Sequence, residues 1–205
     1  MSINKFDVIY YINCEHRTDR RLHIETLLNQ LKADSEKVNR INAVYLADIG
    51  SLGCAKSHII ALKDVKLKGY NNCLILEDDF MAYDIDILNI NIERFFNDIK
   101  EWDLVMLSGN ILESEKTGYG YLNKVIEAQT TSGYAVNSHF IDSVIEVFEE
   151  SESNIELGDI SGEYSIDQNW KKLQPISKWI SFTPLLGKQL DDWSDIEKKH
   201  VSYKC

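Results

Sequence analysis

Three consecutive carboxylates, Glu77-Asp78-Asp79, end the apolar run Cys73-Leu74-Ile75-Leu76. Adjacent acids repel one another and raise one another's pKa unless a cation sits among them. Oxygen donors of this kind suit a hard divalent ion, Mg2+ or Mn2+, above all one that also holds a phosphate. The bland alternative is a strand that leaves the core through a charged turn. A second polar group is Glu15-His16-Arg17-Thr18-Asp19-Arg20-Arg21. Its arginines read either as a solvated first helical turn or as a source of one planar fork, Arg17 by position, for a base or phosphate. A third is Gly50-Ser51-Leu52-Gly53-Cys54-Ala55-Lys56-Ser57-His58. Glycines at a helix start permit close backbone approach, and free amides there attract anions.

The elements that must carry these residues read as an α/β chain. Phe6 to Ile12 is β-branched and aromatic and predicts a first strand. Leu22, Ile24, Leu27, Leu28 and Leu31 follow at helical spacing, with Thr18 or Asp19 as cap. Residues 37–45 alternate as a second strand, and Ile59, Ile60, Leu62, Val65 and Leu67 mark a second helix closed by Gly69. The acidic strand then suits the centre of a parallel sheet, where ligands bind at the carboxyl ends of strands. Residues 84–100 predict a helix, Trp102 to Leu107 a buried strand, 111–124 a loop and hairpin, 125–136 a strand and 139–150 a helix. Residues 151–165 read as a loop, and Ser165 opens a capped helix with Asp167 in its first turn. By default that acid complements the helix dipole.

Length and composition bound the rest. With 205 residues and 44% apolar content the chain can bury one sizeable core. No run approaches the roughly 18 to 20 apolar residues of a membrane span, and the amino terminus has no signal-peptide core, which predicts a cytoplasmic location. A net charge of -11 speaks against nucleic acid as a partner. Cys14, Cys54, Cys73 and Cys205 form no C-x-x-C pair and read as small core residues, the terminal one apart. No G-x-x-x-x-G-K-[ST] loop accompanies the acids, which trims nucleotide hydrolases. Nucleotidyltransferases need a basic glycine-rich loop after the first strand, where this chain has Asn13-Cys14-Glu15-His16.

Taken in order, the motifs resemble glycosyltransferase family 25, the lipooligosaccharide and collagen galactosyltransferases. Ile12-Asn13 with Arg17 to Arg21 resembles the family's I-N-L-x-R-R-x-D-R segment, and Arg40 to Val44 its second strand. Gly50 to His58 resembles G-E-[IV]-G-C-x-x-S-H, and Leu74 to Asp79 resembles L-x-L-E-D-D. Trp102-Asp103, Thr131 to Tyr134, Ile166-Asp167, Pro184 to Gln189 and Ser194-Asp195-Ile196 are similar to the remaining motifs in sequence order.

The resemblance implies a GT-A fold, a mostly parallel central sheet flanked by helices. It implies a single domain, 1–205, with a nucleotide-sugar-binding half (1–110) and an acceptor-binding half (111–205); the chain is also compatible with a piece of a longer protein. The implied reaction is metal-dependent, inverting transfer of a hexose from a UDP-sugar to a glycan or glycoprotein hydroxyl. The runner-up is a non-catalytic sugar-nucleotide or glycan-binding module. On this reading Asp79 ligates Mn2+ or Mg2+, and Glu77 and Asp78 contact ribose or metal-bound water. Asp167 is the base, ahead of Glu163 and Asp159. Ile12, Asn13, Arg17, Ser57 and His58 line the donor pocket, Lys188 pairs with phosphate, and Gln189, Asp191 and Asp192 compete to approach the metal or diphosphate.

Overall fold

The computed structural model describes residues 2–194 and 198–201. The motif residues Asp195 and Ile196, and Cys205, lie outside the described residues. The chain begins β1 (Val8–Asn13), α1 (Thr18–Gln30), β2 (Val38–Asn42), α2 (Gly50–Lys68) and β3 (Asn72–Glu77). It continues through β4 (Phe80–Ala82), α3 (Ile85–Asp98), β5 (Leu104–Met106), the hairpin β6 (Asn110–Lys116) and β7 (Leu122–Gln129), then β8 (Gly133–Asn137) and α4 (Ile141–Glu156). It closes with α5 (Ile166–Asn169), β9 (Trp179–Phe182), β10 (Gly187–Gln189), β11 (Asp192–Ser194) and β12 (Lys199–Val201).

Eight strands form one sheet in the order β2-β1-β3-β8-β5-β9-β7-β6. The α/β architecture with helices on both faces is as expected, and the sheet is mixed. β2-β1-β3 and β5-β9 are parallel, whereas β8 inserts antiparallel between β3 and β5, and β6, β7 and β9 pair antiparallel. Every residue of β1 is buried, as its unbroken apolar run requires. Alternation along β1 and β3 sends Val8, Tyr10, Cys73 and Ile75 to one core with α2 and α4, and Ile9, Tyr11, Leu74 and Leu76 to the other with α1 and α3. Asp84 caps α3 by accepting from Ile87 N at 2.9 Å. Gly69, at φ +71°, ends α2 in the left-handed conformation that favours glycine.

Five local expectations are corrected. Leu22 is exposed, because it lies about 200° around the helix from Ile24, where the buried face of α1 begins. Ile60 and Leu67 of α2 are likewise exposed. Neither Thr18 nor Asp19 caps α1; Arg17 holds the cap position and its guanidinium binds the Asp19 carboxylate at 2.9 Å and 3.1 Å. The strand expected over 125–136 is two strands broken near Thr130, whose φ of +81° turns the chain back toward the sheet centre. The loop expected over 151–165 begins only after Glu156, since the buried face of α4 runs on through Ser151 and Ile155.

Candidate active site

β3 ends at Glu77, which continues the Cys73–Ile75 row toward α2, whereas Asp78 and Asp79 lie in the turn beyond it and meet Arg20 of α1. Glu77 Oε1 accepts from Thr131 Oγ1 at 2.6 Å and lies 3.4 Å from His58 Nε2. Burial pushes the Glu77 pKa up, but the His58 imidazole and the Thr131 hydroxyl outweigh it and hold the carboxyl below its usual value. Asp78 accepts from Asn13 Nδ2 at 2.7 Å and from Arg20 Nη1 at 3.3 Å, yet burial leaves its pKa raised. Asp79 Oδ2 accepts from Arg20 Nη1 at 3.0 Å, while the buried Oδ1 has no partner among the described residues. Burial first, then the charge on Glu77, pushes Asp79 up to about 7.

Arg20 was not singled out by the sequence, and it is the arginine that reaches the acids. Its guanidinium also donates to Asp192 Oδ2 at 3.3 Å and to the Trp193 carbonyl at 2.8 Å. Arg17, expected over the strand end, binds Asp19, Asp192 Oδ2 at 2.7 Å and the Trp193 carbonyl at 3.3 Å. The two stand three residues apart on one helical face, the spacing that would have pointed to Arg20. Asp192 is therefore held by arginines, and Asp191 lies 3.5 Å from Lys188 Nζ.

The opening turns of α2 form the opposite wall. A Cβ on Gly53 would stand 2.2 Å from the Val44 carbonyl oxygen, so only glycine lets the helix dock there. Ser57 is buried and committed: its hydroxyl donates to Gly53 O at 2.6 Å and accepts from Val44 N at 2.8 Å. His58 is buried, with Nδ1 2.9 Å from the Tyr134 hydroxyl; Nε2 lies 3.4 Å from Glu77 and has no hydrogen-bond partner among the described residues. Cys54, read as a core residue, lies on the cavity wall, where burial holds its thiol pKa well above the ordinary value. Its sulfur, His58 and Glu77 present donor atoms all within 4.8 Å of one another. The i, i+4 spacing of Cys54 and His58 was the available signal.

The cavity between these walls is lined by Ile12, Arg20, Tyr45, Cys54, His58 and all three acids, with Gln189 on the tail side. Gln189 arrives because β10 pairs with β4, and Leu190 N donates to Asp79 O at 2.8 Å. Asn13, Arg17 and Lys188 stand outside this lining. So does Asp167, although it is near enough for the charge on Glu77 to act on it. Burial raises the Asp167 pKa; Thr130 N–H, 3.1 Å from Oδ2, opposes the rise. Asp159 accepts from Ser161 N and Oγ on an exposed loop, and Glu163 is also exposed.

No protein-family model matches the chain, and no curated protein matches it. Among solved structures it is similar to a mannose-1-phosphate geranyltransferase from Thermus thermophilus, at 11% identity and a TM-score of 0.53, over 92% of this chain and 75% of that one. It is similar to a glycosyltransferase involved in glycosylating the major capsid of PBCV-1, at 11% identity and a TM-score of 0.51, over 93% and 96%. A CTP:phosphocholine cytidylyltransferase from Streptococcus pneumoniae gives 11% and 0.53, over 93% and 96%. These likenesses establish the fold, which is GT-A-like. Membership of glycosyltransferase family 25 is a finer statement than they carry.

Proposed function

We propose that the chain is a metal-dependent, inverting glycosyltransferase of the family 25 type that moves a hexose from a UDP-sugar to a hydroxyl of a glycan or glycoprotein. The observation that carries this reading is the buried, unpartnered Oδ1 of Asp79, at the strand end where this fold binds ligands. An unpartnered carboxylate oxygen in a wholly oxygen-donor pair with Asp78 fits Mn2+ or Mg2+. When bound, such an ion neutralises charge developing on the diphosphate leaving group.

The chain's own residues supply the rest. Asp78 and Asp79 hold the ion, and Arg20 is the cation that balances them before it arrives. Arg20 and Lys188 then bear on the diphosphate. Asp167 removes the acceptor proton, and a carboxylate whose pKa is raised by burial accepts a proton more readily than an ordinary one. Ile12, Tyr45 and Leu46 supply the apolar part of the cavity wall.

Thermal unfolding with UDP and with GDP, each with and without Mn2+, tests the donor assignment. Stabilisation by UDP only with Mn2+ is expected, on the order of 2.7 kcal/mol at about 100 times the dissociation constant. No shift with either nucleotide overturns it. Binding without turnover on a panel of UDP-hexoses favours the binding-module alternative.

A further inference from the structure

We propose that Cys54, His58 and Glu77 form a second cation site, which takes a thiophilic divalent ion of the zinc class and is separate from the Asp78–Asp79 pair. The donor atoms lie within 4.8 Å of one another, and His58 Nε2 is 3.4 Å from Glu77 Oε1. A tetrahedral ion with bonds of about 2.0–2.3 Å separates its ligands by roughly 3.3–3.8 Å. The nitrogen and oxygen already stand at that spacing, and the sulfur closes by about an ångström at most.

The independent observation is His58 Nε2. The residue is 1% exposed, and this nitrogen has no hydrogen-bond partner among the described residues. A buried polar atom left without a partner is costly, and a ligand bond removes that cost. The rest of the ring is already positioned. Nδ1 is 2.9 Å from the Tyr134 hydroxyl, which can take the ring proton when an ion takes the place of the proton on Nε2 beside Glu77. Tyr134 stacks on the imidazole at 5.8 Å and Phe148 meets it edge-on at 6.0 Å, which fixes its orientation.

Charge and hardness select the ion. A thiolate, a carboxylate and a neutral imidazole sum to two negative charges, which one divalent ion cancels. Sulfur and nitrogen donors favour zinc over Mn2+ or Mg2+, which prefer oxygen. Binding is ligand exchange without redox: the Cys54 thiol proton and the ion's displaced waters go to solvent. The fourth position faces the cavity and holds water, as in open zinc sites. Two cations of different hardness then share one cavity, sorted by its two walls.

Titration of the untagged full chain with Co2+, without nucleotide, tests the site. One equivalent is expected to produce a thiolate-to-cobalt charge-transfer absorption. Cys54→Ser and His58→Gln lose that absorption, whereas Asp79→Ala and Cys14→Ser keep it. No absorption in the unchanged protein, or one that survives Cys54→Ser, overturns the proposal and leaves an ordinary His–Glu ion pair. Where Cys54→Ser does not fold, the unchanged protein is alkylated with N-ethylmaleimide and mapped by mass spectrometry. Zn2+ should protect Cys54 and not Cys14; equal labelling of Cys54 with and without zinc refutes the site. Because UDP is absent throughout, these outcomes are independent of the donor assignment.

Discussion

Glu77 and Asp79 are two residues apart and line one cavity, yet their surroundings are opposites. Glu77 meets a hydroxyl, an imidazole and a thiol from the α2 side, and its charged form is favoured. Asp79 meets a guanidinium from the α1 side and is nevertheless pushed toward its neutral form, because burial and the neighbouring acids outweigh Arg20. A like-charge triplet is thus tolerable because its members are divided between two walls, Glu77 to His58 of α2 and both aspartates to Arg20 of α1. One wall stores an internal cation that an incoming hard ion can relieve; the other holds mixed donors, with a histidine nitrogen facing the Glu77 carboxylate.

The sharpest test of that contrast is Asp79→Ala, which should abolish Mn2+-dependent stabilisation by UDP altogether. Glu77→Gln should leave a measurable shift in the same melting experiment, and equal loss in both variants would erase the distinction. Asp167→Asn should spare UDP binding and lower turnover at least about a hundredfold, some 2.7 kcal/mol of barrier. Since the base works only when deprotonated, activity should fall as pH drops through its pKa. Burial raises that pKa, so the acid limb of the kcat profile should lie above the usual carboxylate range. Near-normal turnover in the variant would remove Asp167 from this role.

Arg20→Ala acts on stability rather than on turnover. It strands two buried acids without their counter-ion, and should cost about 3 kcal/mol in the metal-free protein. Saturating Mn2+ should recover part of the lost melting temperature in this variant, and failure to do so would mean that Arg20 and the ion do not share a place. Tyr134→Phe removes only the hydroxyl beside His58 Nδ1. It should cost about 1 kcal/mol and leave the UDP response unchanged.

The fold was legible wherever periodicity was strong and local. The apolar run of β1, the acidic end of β3, the Gly69 stop and the amphipathic α3 all follow from residue order. The antiparallel insertion of β8 was not legible, because it depends on a chain reversal at Thr130, a residue type with no marked preference for positive φ. In the site, motif order pointed to the acids, His58 and Gln189, which the structure brings to one cavity. It favoured Arg17 over Arg20 and left Cys54 in the core. Cys54 does pack against the core, and what was missed there, as with Arg20, is the shared helix face: neighbours were weighed by nearness to a strand end.

The docking of α2 on Val44 also bears on how this scaffold could be altered. One residue takes both restraints, the N–H of Val44 donating to Ser57 and its carbonyl packed against Gly53. The exposed tip Ala47-Asp48 therefore carries none of the positioning of His58. A longer segment spliced there should change what overhangs the cavity, and so which acceptors enter, while melting temperature and Co2+ absorption stay as they were. That makes the tip a natural grafting point, adjacent to the chemistry and mechanically insulated from it.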